Sequence, residues 1–264
     1  MKPRGIRKPM RGIPLRAIIP NAITVLALCM GLSSVRFALE SKWETALTFI
    51  VIAGVLDGFD GRVARLLNGQ TRFGAELDSL SDVIAFGVAP GLVLYLWSLQ
   101  TLPRYGWIFA LAYAACCALR LARFNASIDV DDQPHKSAGF LTGIPSPTAA
   151  GLLMLPIFLT LVTEQPIFRE FYVVAPWMAL IAFLMVSDIA TFSWSSIRLR
   201  RGLRFSALVA IAAIIVLLVN IPWITFSALA IAYVASIPVS IASYARVRRR
   251  RAQNSPGDDV PAEE

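Results

Sequence analysis

Residues 57–82 read DGFDGRVARLLNGQTRFGAELDSLSD and place four aspartates inside sequence that is otherwise apolar enough to enter a bilayer. They follow the pattern D-x2-D-G-x2-A-R-x8-G-x3-D-x3-D without a mismatch. On helices, the i,i+3 spacing of Asp57 and Asp60 puts both carboxylates on one helix face. The i,i+4 spacing of Asp78 and Asp82 does the same. Two such faces opposed to each other form a cage of carboxylate oxygens.

The energetic cost of these acids predicts a metal site. An unpaired acidic side chain near the centre of a bilayer costs ~2.5–3.5 kcal/mol, and four would cost several times that. Divalent cations offset this charge, and ligands that are all oxygen suit Mg²⁺ or Mn²⁺ better than zinc or copper. The alternative is that the acids cap helix ends or pair with Arg62, Arg65 and Arg72. That alternative explains the charges but not the fixed Gly and Ala positions between them.

Composition indicates a membrane protein without a soluble domain. Of 264 residues, 56% are hydrophobic and 16% charged, and the mean hydropathy is +0.63. A helix needs about 20 apolar residues to cross the hydrocarbon. Such stretches can be placed at residues 18–39, 44–64, 79–98, 105–121, 142–163, 173–193, 205–220 and 223–243. We therefore predict an all-α, polytopic membrane helix bundle of about eight transmembrane helices. Six or seven remain possible, since the seventh stretch is short and Asn220-Ile-Pro222 can be a turn or a kink.

The basic residues predict the orientation of the bundle. With eight spans, most lysines and arginines fall on one side, together with both termini and the aspartate motif. The other side receives only Arg36, Lys42, Arg104 and Arg169. Because cytoplasmic loops carry the excess of Lys and Arg, both termini and the motif should face the cytoplasm. The domains are then a basic N-terminal segment (1–17), a transmembrane domain (18–245) and a basic cluster with a disordered tail (246–264).

The net charge of +8 does not indicate nucleic-acid binding. The basic residues form clusters beside the predicted spans and not a soluble face. Contact with anionic lipid headgroups explains such clusters at lower cost. We therefore expect membrane lipids, and no nucleic acid, among the partners.

The aspartate pattern resembles the signature of the CDP-alcohol phosphatidyltransferase family. These membrane enzymes move a phosphatidyl group from a CDP-linked lipid onto an alcohol and release CMP. The sequence DSLSDVIAFGVAPG at 78–91 is similar to the integral-membrane members that use serine. RLARFN at 120–125 and GIPSPTAA at 143–150 are similar to the same members. The resemblance implies that CDP-diacylglycerol and L-serine are the substrates, that the protein is a homodimer, and that it lies in the inner membrane with its active site facing the cytoplasm.

For the aspartates, the resemblance implies specific roles. Asp57, Asp60 and Asp78 would bind divalent metal, Mg²⁺ or Mn²⁺ and two ions in all. Asp82 would contribute to metal binding and act as the catalytic proton acceptor for the alcohol. A carboxylate with a reference pKa near ~4 cannot deprotonate serine beforehand. It can accept the proton only as the phosphorus–oxygen bond forms.

A second set of residues is predicted to bind CDP-diacylglycerol: Asn21, Thr24, Gly61, Arg65 and Thr71. Asn21, Thr24 and Thr71 match positions that contact the nucleotide in the family, although a helix cap explains the first two equally well. Gly61 would let the nucleotide approach the backbone, or would serve close helix packing. Arg65 offers several donors to a diphosphate, or lies at the interface as a snorkelling arginine.

Serine selection calls for a cation that binds the serine carboxylate. Arg120 and Arg123 lie three residues apart on one helix face at the cytoplasmic end of the fourth span. They can bind serine or merely follow the positive-inside rule. The break at residues 143–147, GIPSP, exposes backbone groups that a membrane protein tolerates only beside protein or a wet cavity, so we expect it to line the alcohol pocket.

Two other functions compete with transfer to serine. One is the same chemistry with glycerol phosphate, inositol phosphate or choline as the acceptor. The other is a transporter whose intramembrane aspartates bind the translocated cation. The sequence shows no repeat symmetry, and all four acids lie toward the cytoplasmic ends of their spans, so transport is the weaker hypothesis.

Overall fold

The computed structural model describes residues 15–102, 104–126, 140–187, 190–192 and 204–254. A π-helical turn, Val83–Val88, continues α3 into α4, and short 3₁₀ turns lie at Leu99–Thr101 and Pro166–Arg169. The α-helices of these ranges are α1 (Leu15–Leu39), α2 (Trp43–Leu66), α3 (Arg72–Asp82), α4 (Ala89–Trp97), α5 (Gly106–Ala126), α6 (Ser146–Leu153), α7 (Leu155–Thr163), α8 (Phe171–Val186), α9 (Arg204–Asn220) and α10 (Pro222–Asn254).

The described residues form a helical membrane bundle, which confirms the predicted fold class. Four helical stretches among them are long and apolar enough to cross a bilayer, namely Arg16–Leu39, Arg72–Trp97, Gly106–Ala126 and Ser146–Thr163. Shorter apolar helices add to these, and α2 is long enough but carries the charged motif. The count of eight crossings and the cytoplasmic termini stay predictions. Residues 1–14, the connection around Arg198 and the tail after residue 254 lie outside the described residues.

The fifth predicted stretch (142–163) began too early, and the sixth (173–193) ended too late. Residues 140–142 form a strand, β1 (Phe140–Thr142), which pairs antiparallel with β2 (Ala190–Phe192). Helix α6 begins only at Ser146, because Ile144 precedes Pro145 and is therefore disfavoured in the helical region. Pro145 itself has a ψ of 144°. Helix, strand and proline break therefore share the space that the sequence assigned to helix alone.

The core lies in the middle of the bundle, where α4, α5, α6 and α8 contribute buried side chains. Tyr113, Leu94, Leu153, Met178 and Met185 are fully buried there. Helix α1 packs along α2, α5 against α8, and α7 against α10. The Tyr113 hydroxyl donates a hydrogen bond of 3.1 Å to the carbonyl of Phe86 in the π turn, so the core holds the helical stretch that follows α3.

The loop between α2 and α3 requires a glycine. Asn68 adopts a left-handed conformation with φ 48°, and Gly69 packs on the first turn of α1. A Cβ at Gly69 would lie 2.5 Å from the carbonyl oxygen of Arg16, which no side chain tolerates. This close approach places α1 beside the aspartate motif.

The turn at the other end of α1 carries surface charge. Glu40 forms ion pairs with Lys42 at 2.7 Å and Arg36 at 3.4 Å. The hydrogen bond from Lys42 lowers the pKa of the Glu40 carboxyl. All three residues are exposed, so these pairs contribute little to stability.

Candidate active site

Three of the four motif aspartates come together between the C-terminal part of α2 and the C-terminal part of α3. Carboxylate oxygens of Asp57, Asp60 and Asp78 all lie within 4.8 Å of one another. Asp60 is buried, with 5% of its surface exposed, and the other two are half-buried. A set of only oxygen donors in such a position can hold a hard divalent cation. We call these three residues the acidic triad.

Asp82 adjoins the acidic triad without being part of it. It is the last residue of α3, and its carboxyl lies within hydrogen-bonding reach of the Asp57 carboxyl. Two carboxylates at this separation repel each other unless a proton or a cation lies between them. The arrangement therefore extends the cation-binding region from Asp57 toward the π turn.

Arg62, Arg65 and Arg72 form no ion pair with the acidic triad in the part of the chain that the structure describes. Arg62, Arg65 and Arg72 are exposed, and Nε of Arg65 donates to the carbonyl of Gly61 at 3.0 Å. The ion pairs found among the described residues are those of Glu40. The alternative of interfacial ion pairs for the aspartates therefore has no support, and the clustered negative charge calls for a cation.

Thr24 ties α1 to the acidic triad. It is buried, and its hydroxyl donates to Oδ2 of Asp60 at 2.6 Å. Ser81 of α3 donates to the carbonyl of Thr24 at 3.3 Å. Because α1 begins at Leu15, Thr24 lies inside the helix. A helix cap therefore does not explain it.

Asn21 lies one turn before Thr24 and meets Thr71 at Gly74. A Cβ at Gly74 would lie 2.8 Å from Oδ1 of Asn21 and 3.2 Å from Oγ1 of Thr71. Thr71 is the N-cap of α3, and its hydroxyl accepts a hydrogen bond from the Gly74 amide at 3.0 Å. The helix-cap explanation thus fails for Asn21, whereas Thr71 caps α3, a role that was not predicted for it. Two predicted nucleotide-binding residues share one site, which explains why the motif has glycine there.

Gly61 borders open space. It is exposed, and a Cβ there would meet no atom within 4 Å among the described residues. Close helix packing, the alternative explanation, therefore does not apply to Gly61 among the residues that the structure describes. The surface beside Asp60 is open to a ligand.

Arg120 of α5 lies near Asp82, the aspartate that adjoins the acidic triad. Its Nη1 donates to the hydroxyl of Ser146 at 2.7 Å. Its Nε is buried, with no hydrogen-bond partner in the described part of the chain. Asp82 and Tyr233 lie near enough to act electrostatically on the guanidinium. Arg123, one turn later, is exposed, so the two arginines predicted to bind serine occupy different environments.

Ser146 was not singled out from the sequence. It is fully buried at the first position of α6, inside the GIPSP break that we expected to line the alcohol pocket. Cys117 of α5 lies 3.6 Å from its hydroxyl. The only sequence signal for Ser146 is its place in this break, because its partner Arg120 is 26 residues away.

An apolar cavity of about 850 Å³ opens next to these groups. Its wall includes Gly54, Phe86, Pro147, Phe226 and Tyr233. Gly54 lies one turn before Asp57, and Phe86 lies one turn after Asp82. The wall of the cavity therefore comes within one helical turn of Asp57 and of Asp82 along the chain, and its lining suits hydrocarbon.

Comparisons with known proteins point to one family. A family model described as CDP-alcohol phosphatidyltransferase matches residues 17–242. A Mycobacterium tuberculosis protein named CDP-diacylglycerol–serine O-phosphatidyltransferase is 37% identical over 242 residues, 92% of this chain and 82% of the relative. A Bacillus subtilis protein with that name is 36% identical over 171 residues, 65% of this chain and 88% of the relative. A Saccharomyces cerevisiae protein, also so named, is 38% identical over 128 residues, 46% of this chain and 45% of the relative.

Proposed function

The chain belongs to the CDP-alcohol phosphatidyltransferase family, and from that premise we propose that it makes phosphatidylserine. It transfers the phosphatidyl group of CDP-diacylglycerol to the hydroxyl of L-serine and releases CMP. The observation that carries this proposal is the acidic triad, with Asp82 near both Asp57 and the guanidinium of Arg120. The names of the relatives support serine as the acceptor. The transmembrane domain, residues 18–245, is also the domain that carries out the phosphatidyl transfer.

We infer that the acidic triad, together with Asp82, holds two divalent cations, Mg²⁺ or Mn²⁺. The all-oxygen donor set, the proximity of its carboxylates and the lack of arginine partners among the described residues support this inference. When bound, such cations neutralise the phosphoryl oxygens and the charge that develops on the departing CMP.

Asp82 is the proton acceptor in this proposal. Its carboxylate takes the proton of the serine hydroxyl while the new oxygen–phosphorus bond forms, because an ordinary carboxylate is too weak a base to act earlier. Its position at the end of α3, between Asp57 and Arg120, supports the role.

The nucleotide side of the site is formed by α1, the end of α2 and the start of α3. Asn21 and Thr71 present polar atoms at Gly74, and the open surface at Gly61 admits the CDP moiety. Arg65, exposed one turn later, reaches the diphosphate. Thr24 contributes through its hydrogen bond to Asp60. The acyl chains of the lipid enter the apolar cavity beside Gly54 and Phe86.

Serine binds on the other side, at Arg120. A buried guanidinium Nε with no partner in the described part of the chain is a donor suited to a carboxylate. Arg123 lies at the surface, where it attracts serine or the lipid headgroups. A bound serine between Arg120 and Asp82 has its carboxylate at one group and its hydroxyl at the other.

The cellular setting follows from the substrates and from the basic residues. We propose a multi-pass protein of the inner membrane whose site and termini face the cytoplasm, and which forms a homodimer as its family implies. Single cysteines introduced at Lys42, Arg104 and Arg169 should label from outside, and a cysteine near Arg201 only from inside. Labelling of the C-terminal tail from outside would show that the number of spans is wrong.

A direct assay tests the activity. Purified protein with Mg²⁺ and CDP-diacylglycerol is given L-serine, glycerol phosphate, inositol phosphate or choline, and CMP and the lipid product are measured. We expect CMP release that depends on serine, with phosphatidylserine as the product. Release with another alcohol would keep the chemistry and replace the acceptor. No release with any alcohol, while Asp78→Asn behaves like the unmodified protein, would reject the proposal.

A further inference from the structure

Ser146 and Arg120 form a partly buried contact between two helices. Nη1 of Arg120 on α5 lies 2.7 Å from the hydroxyl of Ser146 on α6. Ser146 has no exposed surface. A hydrogen bond from a charged donor inside a protein is stronger than a neutral one, so this contact restricts the guanidinium.

The geometry of a guanidinium decides which of its donors remain. Its five N–H groups form a rigid planar fork. When Nη1 is held by Ser146, the edge that contains Nε is left for another partner. Nε is buried and unpartnered in the described part of the chain. A buried unpaired donor is costly, and a carboxylate that binds this edge would remove the cost.

The backbone holds Ser146 in place independently of Arg120. Gly143 has φ +71°, and a Cβ there would lie 2.8 Å from the carbonyl oxygen of Met185. The break therefore packs directly on the end of α8, which only glycine permits. Pro145 then sets the entry into α6. Ser146 is thus a fixed acceptor that orders the Arg120 side chain.

We propose that Ser146 is a positioning residue of the acceptor site. It turns the Nε edge of Arg120 toward the carboxylate of the incoming serine and so sets the affinity for that substrate. The inference rests on the proposed function, because it assumes an acceptor that carries a carboxylate. Ser146 acts through Arg120 and touches no reacting atom.

A double-mutant cycle tests the inference. Unmodified protein, Ser146→Ala, Arg120→Ala and the double variant are compared by CMP release over a range of L-serine at saturating CDP-diacylglycerol and Mg²⁺. We expect Ser146→Ala to raise the KM for serine about tenfold, the scale of one hydrogen bond to a charged group, with kcat within about threefold. In the Arg120→Ala background, Ser146→Ala should change KM less than about twofold.

Two further variants keep the test decisive. Ser34→Ala is the matched control, since Ser34 is also fully buried but its hydroxyl bonds to Gly31 of its own helix at 2.6 Å; its KM should stay unchanged. Arg120→Lys keeps the charge but lacks the Nε edge, and it replaces Ser146→Ala if that variant does not fold. We expect a KM at least about tenfold higher for Arg120→Lys.

The outcomes separate this inference from the proposed function. Equal effects of Ser146→Ala in both backgrounds, or a fall in kcat with KM unchanged, would overturn the positioning role. A KM for serine in Arg120→Lys equal to that of the unmodified protein would also overturn it. In each of these cases serine-dependent CMP release by the unmodified protein would still support the proposed function, whereas its absence would reject that function first.

Discussion

The acidic triad and the Arg120–Ser146 pair are charged sites of opposite sign that both lie near Asp82, and they are built differently. The triad collects like charges from one stretch of chain and borders open space at Gly61. The pair joins two helices and is largely buried, and its single charge is already held by a hydrogen bond. The triad is thus electrostatically incomplete by itself, whereas the pair is an ordered binding edge. Each should respond to substitution in its own way.

Substitutions in the acidic triad should cause the largest loss of activity. They should not lower the melting temperature of the metal-free protein and can raise it. Asp57→Asn, Asp60→Asn or Asp78→Asn should each lower CMP release about 10³-fold, because charge stabilisation of several kcal/mol is lost. EDTA should do the same to the unmodified protein. Without metal, each variant should melt at the same or a higher temperature, since like charges no longer repel.

Thermal unfolding in detergent with EDTA and CMP release with Mg²⁺ provide the two readouts. Near-normal release by Asp78→Asn, or full turnover of metal-free protein, would show that the triad is not where the reaction occurs. A much lower melting temperature would instead make the triad a structural element, like the buried pair.

Asp82 lies near both sites, so its substitution tests whether it serves the chemical step or substrate binding. Asp82→Asn should lower kcat by about 10²-fold, the scale of a lost proton acceptor. The KM for CDP-diacylglycerol should change little, because the triad and the nucleotide side remain. Steady-state kinetics with saturating serine measures both. A large rise in the lipid KM with unchanged kcat would assign Asp82 to binding alone.

Thr24 tests whether α1 acts through the metal site or on the nucleotide. Thr24→Val removes the hydrogen bond to Asp60, and loss of such a partner costs about tenfold or more in metal affinity. The Mg²⁺ concentration that gives half-maximal activity should therefore rise about tenfold, with turnover restored at high Mg²⁺. Thr225→Val is the control, since that buried hydroxyl bonds to Ile221 of its own turn. An unchanged Mg²⁺ requirement with a higher lipid KM would place Thr24 on the nucleotide.

The contrast between the two sites also explains what the sequence could predict. The triad follows from spacings of three and four residues on helices, and its partner helices are close in sequence, so Asp57, Asp60 and Asp78 were predicted as a group. The bundle itself followed from hydropathy alone. Local periodicity is sufficient where a site comes from a contiguous motif.

Tertiary contacts were beyond that kind of reasoning. The pairing of Arg120 with Ser146 depends on how α6 packs after the proline break, and no spacing in the sequence encodes it. Sequence alone also could not distinguish the half-buried Arg120 from the exposed Arg123. For Asn21, the cap explanation failed because α1 starts six residues earlier at Leu15, which apolar patterning around Pro20 did not reveal.

The smallest expected effects concern glycines. They test whether the surface at Gly61 beside the triad is open and whether the packing at Gly87 in the π turn is tight. Gly61→Ala should stabilise α2 by about 0.5–1 kcal/mol, since alanine favours helix and its Cβ meets no atom within 4 Å. Gly58→Ala, equally unobstructed but at a variable position of the motif, should stabilise it equally. Only Gly61→Ala should raise the lipid KM, by severalfold, because a methyl group there takes space that the nucleotide needs. Gly87→Ala should destabilise the protein, since its Cβ would lie 2.9 Å from Cβ of Cys117. Melting temperatures and lipid KM values for all three variants decide the matter: an unchanged KM in Gly61→Ala would mean that the open surface is not where CDP binds.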